Sequence, residues 1–240
     1  MQNVIVTGCG KGLGLEISKQ LLDAGYNLIG ISRSMSPEFE KLQEEFPTFA
    51  HFYKFDLSHT SEISALVKSI TSTHGRVYGL VNNAAVGNDG VLATMHEKDI
   101  ATLLKVNIES PIILTKYVSR SMLLNKKGRV INVGSIIGST GFSGLSVYGA
   151  TKAAMGGFTK SLARELGKGQ ITVNTLAPGY METNMTKELV DEKLEKIKRR
   201  SCLGRLAHVS DAASMVTFLM SESAAGITGS TFTVDAGSTA

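Results

Sequence analysis

Short apolar runs alternate with longer amphipathic stretches along the chain. Runs at 4–7, 27–32, 51–56, 77–82, 130–134 and 171–176 have strand length and character, and 231–235 adds a seventh. Helical patterns occupy 13–24, 61–74, 97–124 and 147–166, and a charged segment spans 37–45. This alternation means βαβ units. It predicts an α/β fold: one Rossmann-type doubly wound domain over 1–240, with a seven-stranded, mainly parallel sheet and helices on both faces. No repeat, low-complexity stretch or Pro/Ser-rich linker divides the chain. The long insertion after the sixth strand, 181–205, is expected to cover a substrate. Ligands on such sheets sit at the carboxyl ends of the strands, so the loops there carry the chemistry.

Composition narrows the class. Hydrophobic residues make up 42% and charged residues 19%, as in water-soluble globular proteins. No apolar run approaches the ~20 residues of a membrane span. The first residues lack the basic start and apolar core of a secretory signal. Two cysteines, Cys9 and Cys202, make no disulfide framework and lack metal-ligand spacing. A reduced, cytoplasmic protein without metal or membrane contact is expected. A net charge of +4 is too weak to argue for nucleic acid, and would suit small polyanions or an acidic protein equally.

The first strand runs into Thr7-Gly8-Cys9-Gly10-Lys11-Gly12-Leu13-Gly14, which opens a helix. Glycines let backbone N–H groups approach a pyrophosphate, and the helix N-terminus favours its charge. A dinucleotide site with an NAD ribose would carry an acid about 20 residues on. Here the second strand ends Ile31-Ser32-Arg33-Ser34. Arg33, with Lys11 nearby, fits a 2′-phosphate, so NADP(H) is expected; the bland alternative is two solvated surface cations. Asp56 could accept from an adenine amino group or cap the helix after Leu57. The small residues of Asn82-Asn83-Ala84-Ala85 could admit a flat cofactor or merely pack.

Tyr148 and Lys152 stand four residues apart, on one face of a helix, with Ser135 at the end of the fifth strand. A tyrosine near pKa ~10 is a poor base, and a nearby ammonium would lower that value. Ser135 could bond a substrate oxygen while Tyr148 exchanges its proton. A Tyr-x-x-x-Lys pair alone is usually a half-buried tyrosine beside a surface lysine; the cofactor loop is what raises the chemical reading.

These motifs resemble those of the short-chain dehydrogenase/reductase family over essentially the whole chain. Thr7-Gly8-x-x-x-Gly12-x-Gly14 matches its cofactor loop, Asn82-Asn83-Ala84 its Asn-Asn-Ala-Gly, and Pro178-Gly179 its turn after the sixth strand. The resemblance implies a catalytic tetrad of Asn107, Ser135, Tyr148 and Lys152, with the asparagine helping to hold a water that links the lysine to solvent. It implies cofactor contacts at Thr7, Gly8, Gly10, Lys11, Gly12, Leu13, Gly14, Arg33, Asp56, Leu57, Asn83, Ala84, Tyr148, Lys152, Pro178 and Gly179. Thr183 would bond the nicotinamide carboxamide. It further implies a homotetramer, to which Ala153, Ala154, Gly156 and Gly157 would lend close helix packing, unless they serve the core of one subunit.

Four positions depart from the pattern. Ala85 and Ala236 replace glycines, and Cys9-Gly10 replaces a small polar pair, removing a phosphate hydroxyl and placing an oxidation-sensitive thiol in the loop. Among family members the chain looks most like 3-oxoacyl-(acyl-carrier-protein) reductases, through Gly128–Ser135, 161–166, 178–185 and 227–235. That implies an NADPH-dependent ketone reductase with acyl carrier protein as partner. A reductase of a free polar ketone, sugar or secondary alcohol shares these stretches, and a non-catalytic NADP-binding regulator is a third class. Lys126, Lys127, Arg129, Lys168 and the cations between Lys187 and Arg200 read as a solvated surface or as a basic rim that steers an acidic carrier.

Overall fold

The computed structural model describes residues 1–181 and 191–240. In chain order the elements are β1 (Asn3–Thr7), α1 (Gly12–Asp23), β2 (Asn27–Ser32), α2 (Pro37–Glu45), β3 (Ala50–Lys54), α3 (Ile63–His74), β4 (Val77–Asn82), α4 (Glu97–Leu104), α5 (Ser110–Asn125), β5 (Gly128–Val133), α6 (Ser146–Leu166), β6 (Ile171–Pro178), α7 (Asp191–Arg200), α8 (Val209–Met220) and β7 (Thr231–Val234). The strands form one sheet in the order β3-β2-β1-β4-β5-β6-β7. Every pairing is parallel, which sharpens the mainly parallel expectation. The order reverses between β1 and β4, so the loops after these two strands part and leave a crevice above them.

Strand residues alternate between faces, and two cores result. Val4 and Val6 join the core with Ile17 and Leu21 of α1 and with Val216 and Leu219 of α8. Ile5, between them, joins the other core with Val67 of α3, Leu114 and Val118 of α5, and Leu162 of α6. Each fully buried aliphatic side chain here contributes about 1.5–3 kcal/mol. No described helix is long and apolar enough to cross a membrane.

The expected helix over 97–124 is broken. α4 ends at Leu104, a π-helical turn spans Lys105–Glu109, and α5 starts at Ser110. The cause is Pro111, which has no N–H to give the Asn107 carbonyl four residues earlier and whose ring would crowd it. The wide turn places Asn107 inside the protein, only 3% exposed.

At the amino end of the sheet, Asn3 Nδ2 donates to the carbonyls of His74 (2.7 Å) and Arg76 (2.9 Å). Asn3 Oδ1 therefore accepts, and takes Asn27 Nδ2. Asn27 Oδ1 then faces His51 Nε2 at 3.1 Å, so that nitrogen carries a proton. The His51 and His74 rings lie 4.3 Å apart, and His74 Nε2 is 3.0 Å from the Tyr53 hydroxyl. Burial lowers the pKa of both histidines, and for His74 the charge of His51 lowers it further.

In the unfolded chain both histidines bind protons near ~6.5, whereas the folded protein resists them to lower pH. The unfolded state therefore binds more protons in that window, and stability is present above about pH 6.5 and lost as pH falls. The melting temperature is expected to drop between about pH 7 and about pH 5, less steeply in His74→Gln, which relieves the pair. Parallel drops in wild type and variant would contradict this role for the pair.

Candidate active site

The glycine loop is shaped by backbone demands. Gly8 and Gly12 have φ of 68° and 54°, in the left-handed region that glycine adopts without strain. A Cβ on Gly14 would overlap the Gly8 carbonyl, so glycine lets the first turn of α1 close onto the loop. Leu13 is buried beneath it. Thr7 Oγ1 accepts from the N–H groups of Asn83 (3.0 Å) and Ala84 (2.9 Å), and Asn83 Nδ2 donates to the Thr7 carbonyl at 2.9 Å. The expected contacts from Thr7 and Asn83 are thus side chains already engaged with one another's backbone. They tie the loop after β1 to the loop after β4, and so fix the width of the crevice.

Cys9 corrects an expectation. Its side chain points down into the core, fully buried, against Gly30, where an added Cβ would lie 2.6 Å from the sulfur. Burial pushes the thiol up to about 12. Without thiolate or access, Cys9 is not the oxidation-sensitive residue of the loop.

A Cβ on Gly10 would meet Ser32, Ser34 and Ser36 at ordinary contact distances, and the Ser36 hydroxyl donates to the Gly10 carbonyl. This sets the loop beside the end of β2, with Arg33 and Lys11 both exposed there. Asp56 lies beyond β3, in a turn, and α3 begins only at Ile63, so it does not cap that helix. Its carboxylate accepts from Ser58 N at 2.9 Å, which with a smaller contribution from Arg33 lowers its pKa. Leu57 is buried, and its carbonyl accepts from Ser110 Oγ at 2.6 Å, linking this turn to α5. Gly179 sits against Asp235, where a Cβ would lie 2.5 Å from the aspartate Cβ, and its N–H donates to Val234 at 3.0 Å. Pro178 and Gly179 therefore stand at the carboxyl end of β6, as expected.

Ser135, Tyr148 and Lys152 come together because the turn after β5 presses on α6. A Cβ on Gly138 would lie 3.0 Å from backbone atoms of Lys152 and Ala153, and one on Gly149 would lie 3.1 Å from the Ile137 carbonyl. Lys152 is 7% exposed, and its ammonium donates to the Val133 carbonyl at 2.9 Å. Its Nζ is 5.6 Å from the centre of the Tyr148 ring. Burial lowers the lysine to about 8.

Tyr148 departs from the sequence expectation. Burial raises its pKa to about 12, and the Ser135 hydroxyl, in hydrogen-bonding reach, pulls it only partly back. The ammonium that was to lower it is directed at Val133 instead. The phenol therefore holds its proton, as suits a general acid.

Asn107 is clamped by its own side chain. Oδ1 accepts from Val86 N and Nδ2 donates to Val86 O, both at 2.9 Å. Nδ2 also reaches Thr151 Oγ1 at 3.2 Å, and Thr151 donates to the Tyr148 carbonyl at 2.7 Å. Thr151 was not read from the sequence, although it lies one residue before Lys152. Beneath, Asn82 Nδ2 donates to Asn132 Oδ1 and Asn132 Nδ2 to Thr159 Oγ1, each at 2.8 Å, which fastens α6 to the sheet.

Three loops form the mouth. Gly90 N donates to Gly144 O at 2.9 Å, and the rings of Phe142 and Tyr180 are 6.2 Å apart. A cavity of about 590 Å³ lies elsewhere, between Glu16 and Arg205–His208, and holds none of the tetrad side chains.

Other expected residues fall away from this site. Lys126 and Lys127 precede β5, Arg129 is its second residue and Lys168 precedes β6, all at the end of the sheet opposite Ser135. Lys127 pairs with Glu222 at 2.7 Å, and Arg129 is buried over Tyr78. On α7, Lys198 pairs with Glu195 at 3.0 Å. Thr183 and Lys187 lie outside the described residues, as does the Lys193 side chain. Ala236 adopts φ of 56°, a conformation costing roughly 1 kcal/mol in a non-glycine residue.

Comparison with known proteins agrees with these motifs. Residues 2–194 match the family model described as short chain dehydrogenase. A 3-oxoacyl-[acyl-carrier-protein] reductase FabG of Vibrio cholerae serotype O1 is 38% identical, over 97% of this chain and 95% of that protein. The protein of the same name from Escherichia coli K12 is 34% identical over the same shares. A short-chain dehydrogenase/reductase variant from Serratia marcescens superposes with a TM-score of 0.93 at 28% identity, covering 100% of this chain and 98% of that one. ElxO with NADP bound gives 0.89 at 28% identity, covering 99% and 98%.

The buried lysine carries a stability cost that can be measured. Its folded pKa is depressed from 10.5 to about 8, so between these values the unfolded chain binds the extra proton and stability rises with pH. Below about pH 8 the folded protein holds the charge at full cost. Lys152→Met is expected to be about 1–3 kcal/mol more stable than wild type at pH 7 and to lose the rise at alkaline pH. Chemical denaturation at both pH values checks this; a less stable variant would contradict it.

Proposed function

The chain belongs to the short chain dehydrogenase family, and within it we propose an NADPH-dependent reductase of 3-oxoacyl thioesters carried on acyl carrier protein, giving the 3-hydroxyacyl product. One arrangement carries the reading: the Tyr148 phenol keeps its proton beside Ser135, at the carboxyl end of β5, with the buried Lys152 ammonium 5.6 Å from the centre of its ring. Carrier-linked substrate is favoured by the names of the relatives that cover nearly the whole chain.

The residues fit an NADP(H) cofactor. Gly8 and Gly12 take left-handed backbone and Gly14 lets α1 close onto the loop, leaving a turn free of side chains at the N-terminus of α1, where a phosphate is favoured. Arg33 and Lys11, with no acid in the turn after β2, suit a 2′-phosphate. When bound, the reduced nicotinamide supplies a hydride to the ketone carbon.

Ser135 donates a hydrogen bond to the ketone oxygen and holds it near the phenol. Tyr148 gives that oxygen its proton as negative charge develops there, so the ketone becomes a neutral alcohol and the tyrosine a phenolate. Once the phenolate forms, the Lys152 ammonium, 5.6 Å from the centre of the ring, offsets part of its charge, too little to release the proton before the ketone oxygen takes it. Asn107, whose side chain is committed to Val86, offers its main-chain carbonyl to a water through which the phenolate is reprotonated, since Pro111 cannot bond that carbonyl. The reading includes a homotetramer: a Cβ on Gly156 or Gly157 of α6 would meet nothing within 4 Å in this chain, so core packing does not account for these glycines.

The test is cofactor oxidation with acetoacetyl-CoA. Wild type is expected to turn over with NADPH, Tyr148→Phe to lose about 10²–10⁴ of the rate while still binding NADPH, and Arg33→Ala to lose roughly tenfold in NADPH affinity. Preference for NADH, or full activity in Tyr148→Phe, would contradict the reading.

A further inference from the structure

The mouth of the site carries a charge that the chemistry above does not use. Asp89 lies in the loop after β4, one residue before Gly90, whose N–H is pinned to Gly144 at 2.9 Å. The same loop is held at its start by Asn107 on both polar groups of Val86. Asp89 is therefore placed between two fixed points, on the rim that Phe142 and Tyr180 complete. It is exposed and forms no ion pair among the described residues. Its charge acts on the hydroxyls of both Tyr148 and Tyr180, disfavouring a second negative charge at either.

We propose that Asp89 is a charge filter: it admits 3-oxo compounds whose carboxyl group is masked as a neutral thioester or ester, and turns away the free 3-oxo acid anion. The inference rests on the ketone-reductase reading. In a 3-oxo acid the carboxylate is separated from the ketone by a single carbon. When the ketone is at Tyr148, that carboxylate is within the same field of Asp89. A thioester in its place carries no charge and is not repelled. A carboxylate at the rim thus selects for conjugated substrate without touching the reacting atoms.

The experiment compares three NADPH-dependent reductions: acetoacetyl-N-acetylcysteamine, ethyl acetoacetate and acetoacetate. Each is measured with wild type, Asp89→Asn and the charge-retaining Asp89→Glu. The ratio of kcat/KM for either neutral ketone to that for the anion is expected to fall roughly fivefold in Asp89→Asn and to persist in Asp89→Glu. In wild type the ratio should also shrink as ionic strength rises from about 0.01 M to about 0.5 M. Equal ratios in wild type and Asp89→Asn overturn the filter. If the thioester fails while the ester is still separated from the acid through Asp89, the thioester assignment falls and the filter stands. If none of the three is reduced, both fall.

Discussion

The contact of the turn after β5 with α6 is the constraint on which the rest of the site depends. Gly138 and Gly149 let two pieces of backbone approach to distances that a side chain would prevent. Ser135 is at the start of that turn, and Tyr148 and Lys152 are on the helix pressed against it. The same approach buries Lys152 and leaves the Val133 carbonyl as the group its ammonium reaches. Burial then sets both protonation tendencies: the lysine is pushed down and the phenol up. The site is therefore less stable than an apolar packing would be, and the cost lies where the chemistry needs a charge next to a proton.

Around this contact, polar side chains act as ties between strand ends rather than as solvent-facing groups. Thr7 and Asn83 join the loops on either side of the crevice. Asn107 joins the π-helical turn to Val86 and, through Thr151, to the carbonyl of Tyr148. Net hydrogen bonds of this kind are worth only about 1 kcal/mol each, but breaking one leaves a buried partner unsatisfied at greater cost. Their effect is to fix geometry: the cofactor cradle, the proton donor and the mouth all hang on loops that cannot drift independently.

The alternation of runs made the sheet, its parallel strands and the strand-end placement of Ser135 legible in the sequence. Helical spacing put Tyr148 and Lys152 on one face, as found. What the pattern hid was direction and competition. Cys9 reads as a loop residue, but its side chain turns into the core, which depends on Gly30 of the neighbouring strand. The effect of Lys152 on Tyr148 was misjudged because spacing reports proximity and not desolvation. Asn107 came only from resemblance, although Pro111 four residues later was a readable sign of a broken helix. Lys126, Lys127 and Arg129 stand just before and at the start of β5, yet strand direction carries them to the end opposite Ser135. Asp89 and Phe142 meet the site only through tertiary loop contacts, which no local pattern encodes.

The central claim is that glycine-permitted approach of the turn to α6 assembles the proton-donating site. Gly138→Ala tests it most directly, because the atoms nearest its methyl group would be backbone atoms of Lys152 and Ala153, none of them in the glycine loop. Steady-state reduction and NADPH binding, measured on variant that remains folded by circular dichroism, are the readouts. The account predicts a fall in kcat of at least about tenfold, since small misplacements of reacting groups are costly, with NADPH affinity within about twofold of wild type. Wild-type kcat in folded Gly138→Ala would contradict it.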